Sequence, residues 1–115
     1  MFNTCSNLTS FNINLSSLTD GNSMFLRCSN LSSFNSDLSS LSNGGSMFGS
    51  GTYNCTKLDL PSVQNIADTI NDLASQGKTG SIHIGISKSI QGNTELDAAL
   101  ATIRSKGWTV SEMYA

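Results

Sequence analysis

Apolar positions in the first half of the chain recur on a fixed period. Residues 1–23 read MFNTCSNLTSFNINLSSLTDGNS and residues 24–46 read MFLRCSNLSSFNSDLSSLSNGGS, identical at 15 of 23 positions. In the second copy Met24, Phe25, Cys28, Leu31, Phe34, Leu38 and Leu41 are apolar, with Ser and Asn filling the places between. A third copy opens at Met47-Phe48 and then takes four extra residues, which moves its cysteine to Cys55 and its leucine to Leu58. A unit this short cannot bury its apolar side alone, so the repetition predicts stacked units that share one interior. Stacking places Phe11 beside Phe34 and Leu15 beside Leu38. Residues 10–15 and 33–38 are the expected strands, and Gly21 and Gly44 supply turns at one phase. Asn suits the bends, because it tolerates left-handed backbone and its side chain bonds nearby backbone groups. The first unit begins at its Met-Phe step with no polar cap. The expectation is that further repeats or another molecule cover that end.

From residue 59 the period changes. Asp59-Leu60-Pro61-Ser62 reads as a helix start, with Asp59 or Ser62 as cap and proline tolerated in the first turn. Val63, Ile66, Ala67, Ile70 and Leu73-Ala74 follow at helical spacing, and Gly77 is the expected stop. Ser81-Ile82-His83-Ile84-Gly85-Ile86 alternates like a half-buried strand. Thr94 is the expected cap of a second helix whose apolar face carries Leu96, Ala99, Leu100 and Ile103. Gly107 closes it, and residues 108–114 form a last strand. Helix, strand, helix, strand with short links implies parallel strands and right-handed crossovers. Residues 82–86 and 108–113 then extend the sheet begun by the repeats. The expected fold is one α/β domain over 1–115, a right-handed solenoid with parallel strands. Irregular turns back the short repeats of 1–58, and helices back the capping repeats of 59–115.

Composition narrows the partners. Ser and Asn supply 33 of the 115 residues, whereas Asp, Glu, Lys and Arg supply 14 and leave a net charge of -2. So few cations cannot cluster against phosphates, which excludes nucleic acid as an expected partner. Residues 1–55 hold only Asp20, Arg27 and Asp37, and the other 11 charges follow, as suits the end of a stack that faces water. No apolar run approaches the ~18–20 residues that span a bilayer, so membrane insertion is not expected. The first residues lack the basic and apolar regions of a signal peptide, and the chain is expected to be a segment of a longer one.

Candidate chemistry is sparse, and no cofactor or metal is expected. The three cysteines, Cys5, Cys28 and Cys55, form no CxxC pair, which argues against a zinc site and a disulfide framework. Cys5 and Cys28 nonetheless share a phase. They are either a linked or metal-bearing pair or two small apolar residues at tight corners. His83, the only histidine, lies opposite Ile82, Ile84 and Ile86 and is expected at the surface, with no Gly-x-Ser-x-Gly elbow to make it a general base. Gly77-Lys78-Thr79 is not a phosphate loop, because Asp72 stands where the upstream glycine belongs. Met1, Met24 and Met47, each followed by Phe, are repeated core positions.

The phrase Cys-Ser-Asn-Leu-x-Ser-Phe-Asn, then Leu-Ser-Ser-Leu, then Met-Phe, resembles the BspA-type leucine-rich repeats of bacterial surface proteins and of gut bacteria and their phages. Residues 62–70 and 106–110 are similar to the C-terminal ends of such proteins. The resemblance implies a leucine-rich-repeat-like solenoid and an extracellular, cell-surface or virion location. It also implies a non-enzymatic role in adhesion to a host protein or glycan, without shared catalytic residues. Two features depart from the pattern: Ser36 stands in an expected core slot, and only about two short repeats precede the cap. The expected binding surface is the open sheet face, where Ser10, Asn12, Asn14, Ser33, Asn35, Asp37, Ser81 and His83 form a polar ladder on strands ~4.8 Å apart. The bland alternative is that these groups bond only one another and water. The competing function is structural, with copies stacking end to end or pairing through the uncapped N-terminal repeat into a fibre or homo-oligomer.

Overall fold

The 23-residue spacing appears in three dimensions as parallel pairing. In the computed structural model, which describes residues 5–51 and 54–115, β1 (Ser10–Phe11) pairs with β2 (Ser33–Phe34) in the register Ser10↔Ser33 and Phe11↔Phe34. The Phe11 and Phe34 rings stack with centroids 6.0 Å apart and planes 7° from parallel. Phe25 meets both edge-on, at 4.9 and 5.7 Å, and stacks on Phe48 at 5.5 Å. Met24, Phe25, Met47 and Phe48 are buried as expected, while Met1 lies outside the described residues. Both strands stop after two residues rather than running to 15 and 38. Asn14 and Asp37 side chains accept the Ser16 and Ser39 N–H at 2.8 and 2.7 Å, and these Asx turns bend the chain at one phase in both copies.

The leucine-rich-repeat solenoid is not what the chain forms. A solenoid needs the third unit to lay a strand on the far edge of β2. The chain touches that edge only in passing, where the Lys57 and Asp59 N–H groups donate to the Leu31 and Ser32 carbonyls, each at 2.9 Å. Helix α1 (Leu60–Thr69) then takes the strand's place. Ser62 Oγ accepts the Phe34 N–H at 2.8 Å, Asn65 Nδ2 donates to the Ser36 carbonyl at 2.9 Å, and Thr69 Oγ1 accepts the Leu38 N–H at 3.3 Å. Positions 62, 65 and 69 share one helix face, so one polar stripe caps the strand edge.

The second sheet is likewise separate. β3 (Gly80–Ile86) and β4 (Trp108–Tyr114) pair in parallel from Gly80↔Trp108 to Ile86↔Tyr114. On its other side β3 receives single bridges from Gly44 and Leu58, not from β2. The expected continuous sheet with irregular backing and a helical cap is therefore replaced by two two-stranded parallel sheets and two helices. They sit in a body of 37 × 31 × 22 Å. What stands is an α/β molecule with parallel pairing.

Local chemistry sets the element ends. Asp59 caps α1 by accepting the Ser62 N–H at 3.0 Å. The helix stops at Thr69, well before Gly77, because Asn71 turns back to the second repeat. Its N–H donates to Leu38 O and its Nδ2 to Leu41 O, each at 3.1 Å. Gly77 instead ends a 3-10 turn at Ala74–Gln76 in the left-handed conformation. Helix α2 (Thr94–Ser105) is capped by Asn93, one residue earlier than expected, whose Oδ1 accepts the Glu95 and Leu96 N–H. Gly107, at φ 95°, turns the chain into β4, and a Cβ there would meet Ala74 N at 2.8 Å. One apolar cluster runs from Phe11 through Leu58, Ile66, Ile84 and Leu100 to Trp108, so both halves share a core.

Candidate functional site

The expected ladder is split. Ser10 and Asn12 lie beside Ser33 and Asn35 on β1, β2 and the residues that follow them, while Asn14 and Asp37 open equivalent turns; all six are exposed. Ser81 and His83 stand apart on β3, where their neighbours across the sheet are Thr109 and Ser111. Asn14 and Asp37 spend their side-chain oxygens on their own turns. His83 is half-buried rather than at the surface, because the loop at Ser46 lies over it. The Ser46 N–H donates to His83 Nδ1 at 3.1 Å, which places the proton of the neutral ring on Nε2.

Two further polar features were not foreseen. Helices α1 and α2 flank a groove of about 330 Å³ lined by Gln64, Ala67, Asp68, Glu95, Ala98, Ala99 and Thr102. Its two carboxylates are exposed and its floor is alanine. The second is a cluster that staples β4 to α2. Arg104 Nη2 contacts Glu112 Oε2 at 2.6 Å, and the Tyr114 hydroxyl donates to Glu112 Oε1 at 2.6 Å. Burial acts to raise the Glu112 pKa, but the hydrogen bonds from Tyr114 and Arg104 outweigh it and hold the carboxyl below its usual value. Burial, then the Glu112 hydrogen bond and charge, push Tyr114 up to about 12. Among the described residues no three His, Cys, Asp or Glu side chains are grouped to hold a metal ion. No described helix is long and apolar enough to cross a membrane.

The feature with the clearest consequence is the end of the first repeat. Cys28, Leu31, Leu38 and Leu41 are all 0% exposed. Their counterparts one repeat earlier, Cys5, Leu8, Leu15 and Leu18, are only half-buried. Ile13 is 60% exposed, the only large hydrophobic so placed among the described residues, whereas Ser36 at the same phase is 2% exposed. Identical side chains are thus fully buried in the second repeat and only half-buried in the first.

A strand edge runs beside them. The Ser32 and Ser33 N–H groups donate to Thr9 O, and the Asn35 N–H donates to Phe11 O. Thr9 and Phe11 therefore face β2, and by strand alternation the backbone groups of Ser10 and Asn12 face outward. Sheet edges are commonly blunted by lysine, proline or charge. Residues 5–19 contain none of these. The repeat alignment already set Ile13 opposite Ser36, but not which of the two would lie under a helix. No family model matches the chain, and no curated protein or solved structure matches it either.

Proposed function

We propose that the chain is a non-enzymatic self-association module that pairs with a second copy through the open edge of β1 and the apolar end carrying Ile13. The supporting observation is the burial contrast between equivalent residues of the two repeats, with Ile13 60% exposed beside a β1 edge that pairs with β2 alone among the described residues. A second copy suits this surface for two reasons. Residues 5–19 are uncharged, so two copies meet without repulsion. A twofold axis would also bring one β1 edge against the other, where Ser10 and Asn12 backbone groups can exchange hydrogen bonds and the two Ile13 side chains can cover each other.

Sedimentation velocity over a concentration series tests the proposal. A small interface of this kind predicts dimers in the micromolar to low-millimolar range, up to about 1 mM. The Ile13→Lys variant, altered at an exposed position, should keep the wild-type circular dichroism and sediment as a monomer throughout. A wild-type chain that stays monomeric to about 1 mM overturns the proposal. Attachment to a host protein or glycan through Ser10, Asn12, Ser33 and Asn35 would then be the reading to pursue.

A further inference from the structure

We propose that Cys5 and Cys28 are a disulfide-forming pair, oxidised by a low-molecular-weight disulfide, whose cross-link pins the first repeat onto the second. The two residues have the same offset as the Ser10↔Ser33 and Phe11↔Phe34 register. Each opens the same tight turn, with the Leu8 N–H donating to Cys5 O and the Leu31 N–H to Cys28 O, both at 3.0 Å. Asn30 Nδ2 donates to Ser6 O at 2.7 Å, which holds the two turns side by side. Strands in this register run ~4.8 Å apart, and two turns that keep that spacing fall inside the ~4.4–6.8 Å Cα separation that a disulfide spans. The Cys28 thiol faces the amide and the thiol of Cys5.

Exposure orders the steps. Cys5 is half-buried and Cys28 is 0% exposed, so the reagent reaches Cys5 first. The Cys5 thiolate attacks one sulfur of the reagent, whose S–S bond breaks and releases one thiolate. The Cys28 thiol then gives up its proton, and its sulfur attacks the Cys5 sulfur and expels the second thiolate. Two protein thiols are oxidised to one disulfide, and the reagent is reduced to two thiols that carry the two protons. Burial raises the Cys28 pKa, which leaves it inert to bulk reagent until a reactive sulfur is delivered beside it. Cys55 is an internal control. The four-residue insertion puts it out of phase, and it packs on β3, where a Cβ added at Gly85 would meet its Cβ at 2.5 Å.

The test uses the reduced chain at low concentration, treated with oxidised glutathione, alkylated and mapped by mass spectrometry. The expected product has lost two hydrogen atoms, yields a Cys5–Cys28 peptide, and leaves Cys55 open to alkylation after denaturation. Its melting midpoint should rise by about 10 °C and return with dithiothreitol. Cys5→Ser, at a half-exposed position, should form no cross-link and show no shift. A persistent glutathione adduct on Cys5, a link to Cys55 or a link between chains would each overturn the proposal. The wild-type map decides this even if a variant fails to fold.

Discussion

Ser36 and Ile13 occupy one place in the repeat and meet opposite surroundings. Helix α1 passes over Ser36, which is 2% exposed, and its Oγ has no hydrogen-bond partner among the described residues. Thr56, also buried, shows how such a hydroxyl is normally satisfied: its Oγ1 lies 2.7 Å from Gly85 O and 3.3 Å from Phe48 O. An unpaired buried hydroxyl costs about 1–3 kcal/mol. Ser36→Ala removes that cost and opens almost no cavity. It should stabilise the fold by about 1 kcal/mol, read as a higher urea midpoint at unchanged slope. A lower midpoint would mean that the hydroxyl has a partner in solution. The substitution leaves the end that carries Ile13 untouched, so self-association should not change with it.

At the scale of elements, α1 does two jobs with two faces. Val63, Ile66 and Ala67 enter the core, while Ser62, Asn65 and Thr69 cap the edge of β2. Ser62 is 3% exposed and accepts the Phe34 N–H while its own proton goes to Asp59 Oδ1 at 2.5 Å. Ser62→Ala would strand that buried N–H and should destabilise the chain by about 2 kcal/mol. Amide exchange at Phe34 should accelerate as well. A variant as stable as wild type with unchanged exchange would remove the edge-capping role. This stripe explains why the solenoid was expected and did not form. Helical spacing at 63, 66, 67 and 70 and the alternation at 82, 84 and 86 were legible, because periodicity reports which side is buried. The letters Ser, Asn and Thr are the same whether a helix shows them to water or to a strand edge. The repeat motif likewise described the pairing of β1 with β2 but not the helix that ends it. The polar ladder was legible as far as that pairing reaches, and it failed at Ser81 and His83, which belong to the other sheet. Ile13 gave no signal of its own, because exposure at the end of a repeat array depends on what covers the end.

For the whole molecule, one continuous core joins a nearly uncharged half to one that carries 11 of the 14 charges. Titration in either half should therefore unfold both. The groups with raised pKa set the alkaline limit. Burial raises Cys28 and Cys55 above 9.0, and Tyr114 rises from 10.0 to about 12. Each holds its proton more tightly folded than unfolded, so its contribution is complete below the unfolded value and lost as pH climbs through the folded one. Glu112 works in the opposite direction. Its folded pKa lies below 4.5, so its contribution is complete above that value and fades as pH falls through the folded one. Cys28, Cys55 and Tyr114 should accordingly make the urea midpoint of the reduced chain fall as pH rises above 9, most steeply between 10 and 12. Tyr114→Phe keeps the ring but cannot ionise, so it should make the fall between 10 and 12 shallower and leave the part that Cys28 and Cys55 contribute from about 9 upward. Trp108, the single tryptophan, reports on the β4 end, and far-ultraviolet circular dichroism reports on the whole chain. The two curves should coincide at every pH, because the aromatic stack of Phe11, Phe25, Phe34 and Phe48 belongs to the same cluster as Trp108. Two separated transitions would show that the repeats and the β3–β4 unit unfold independently, and the shared-core argument would fail.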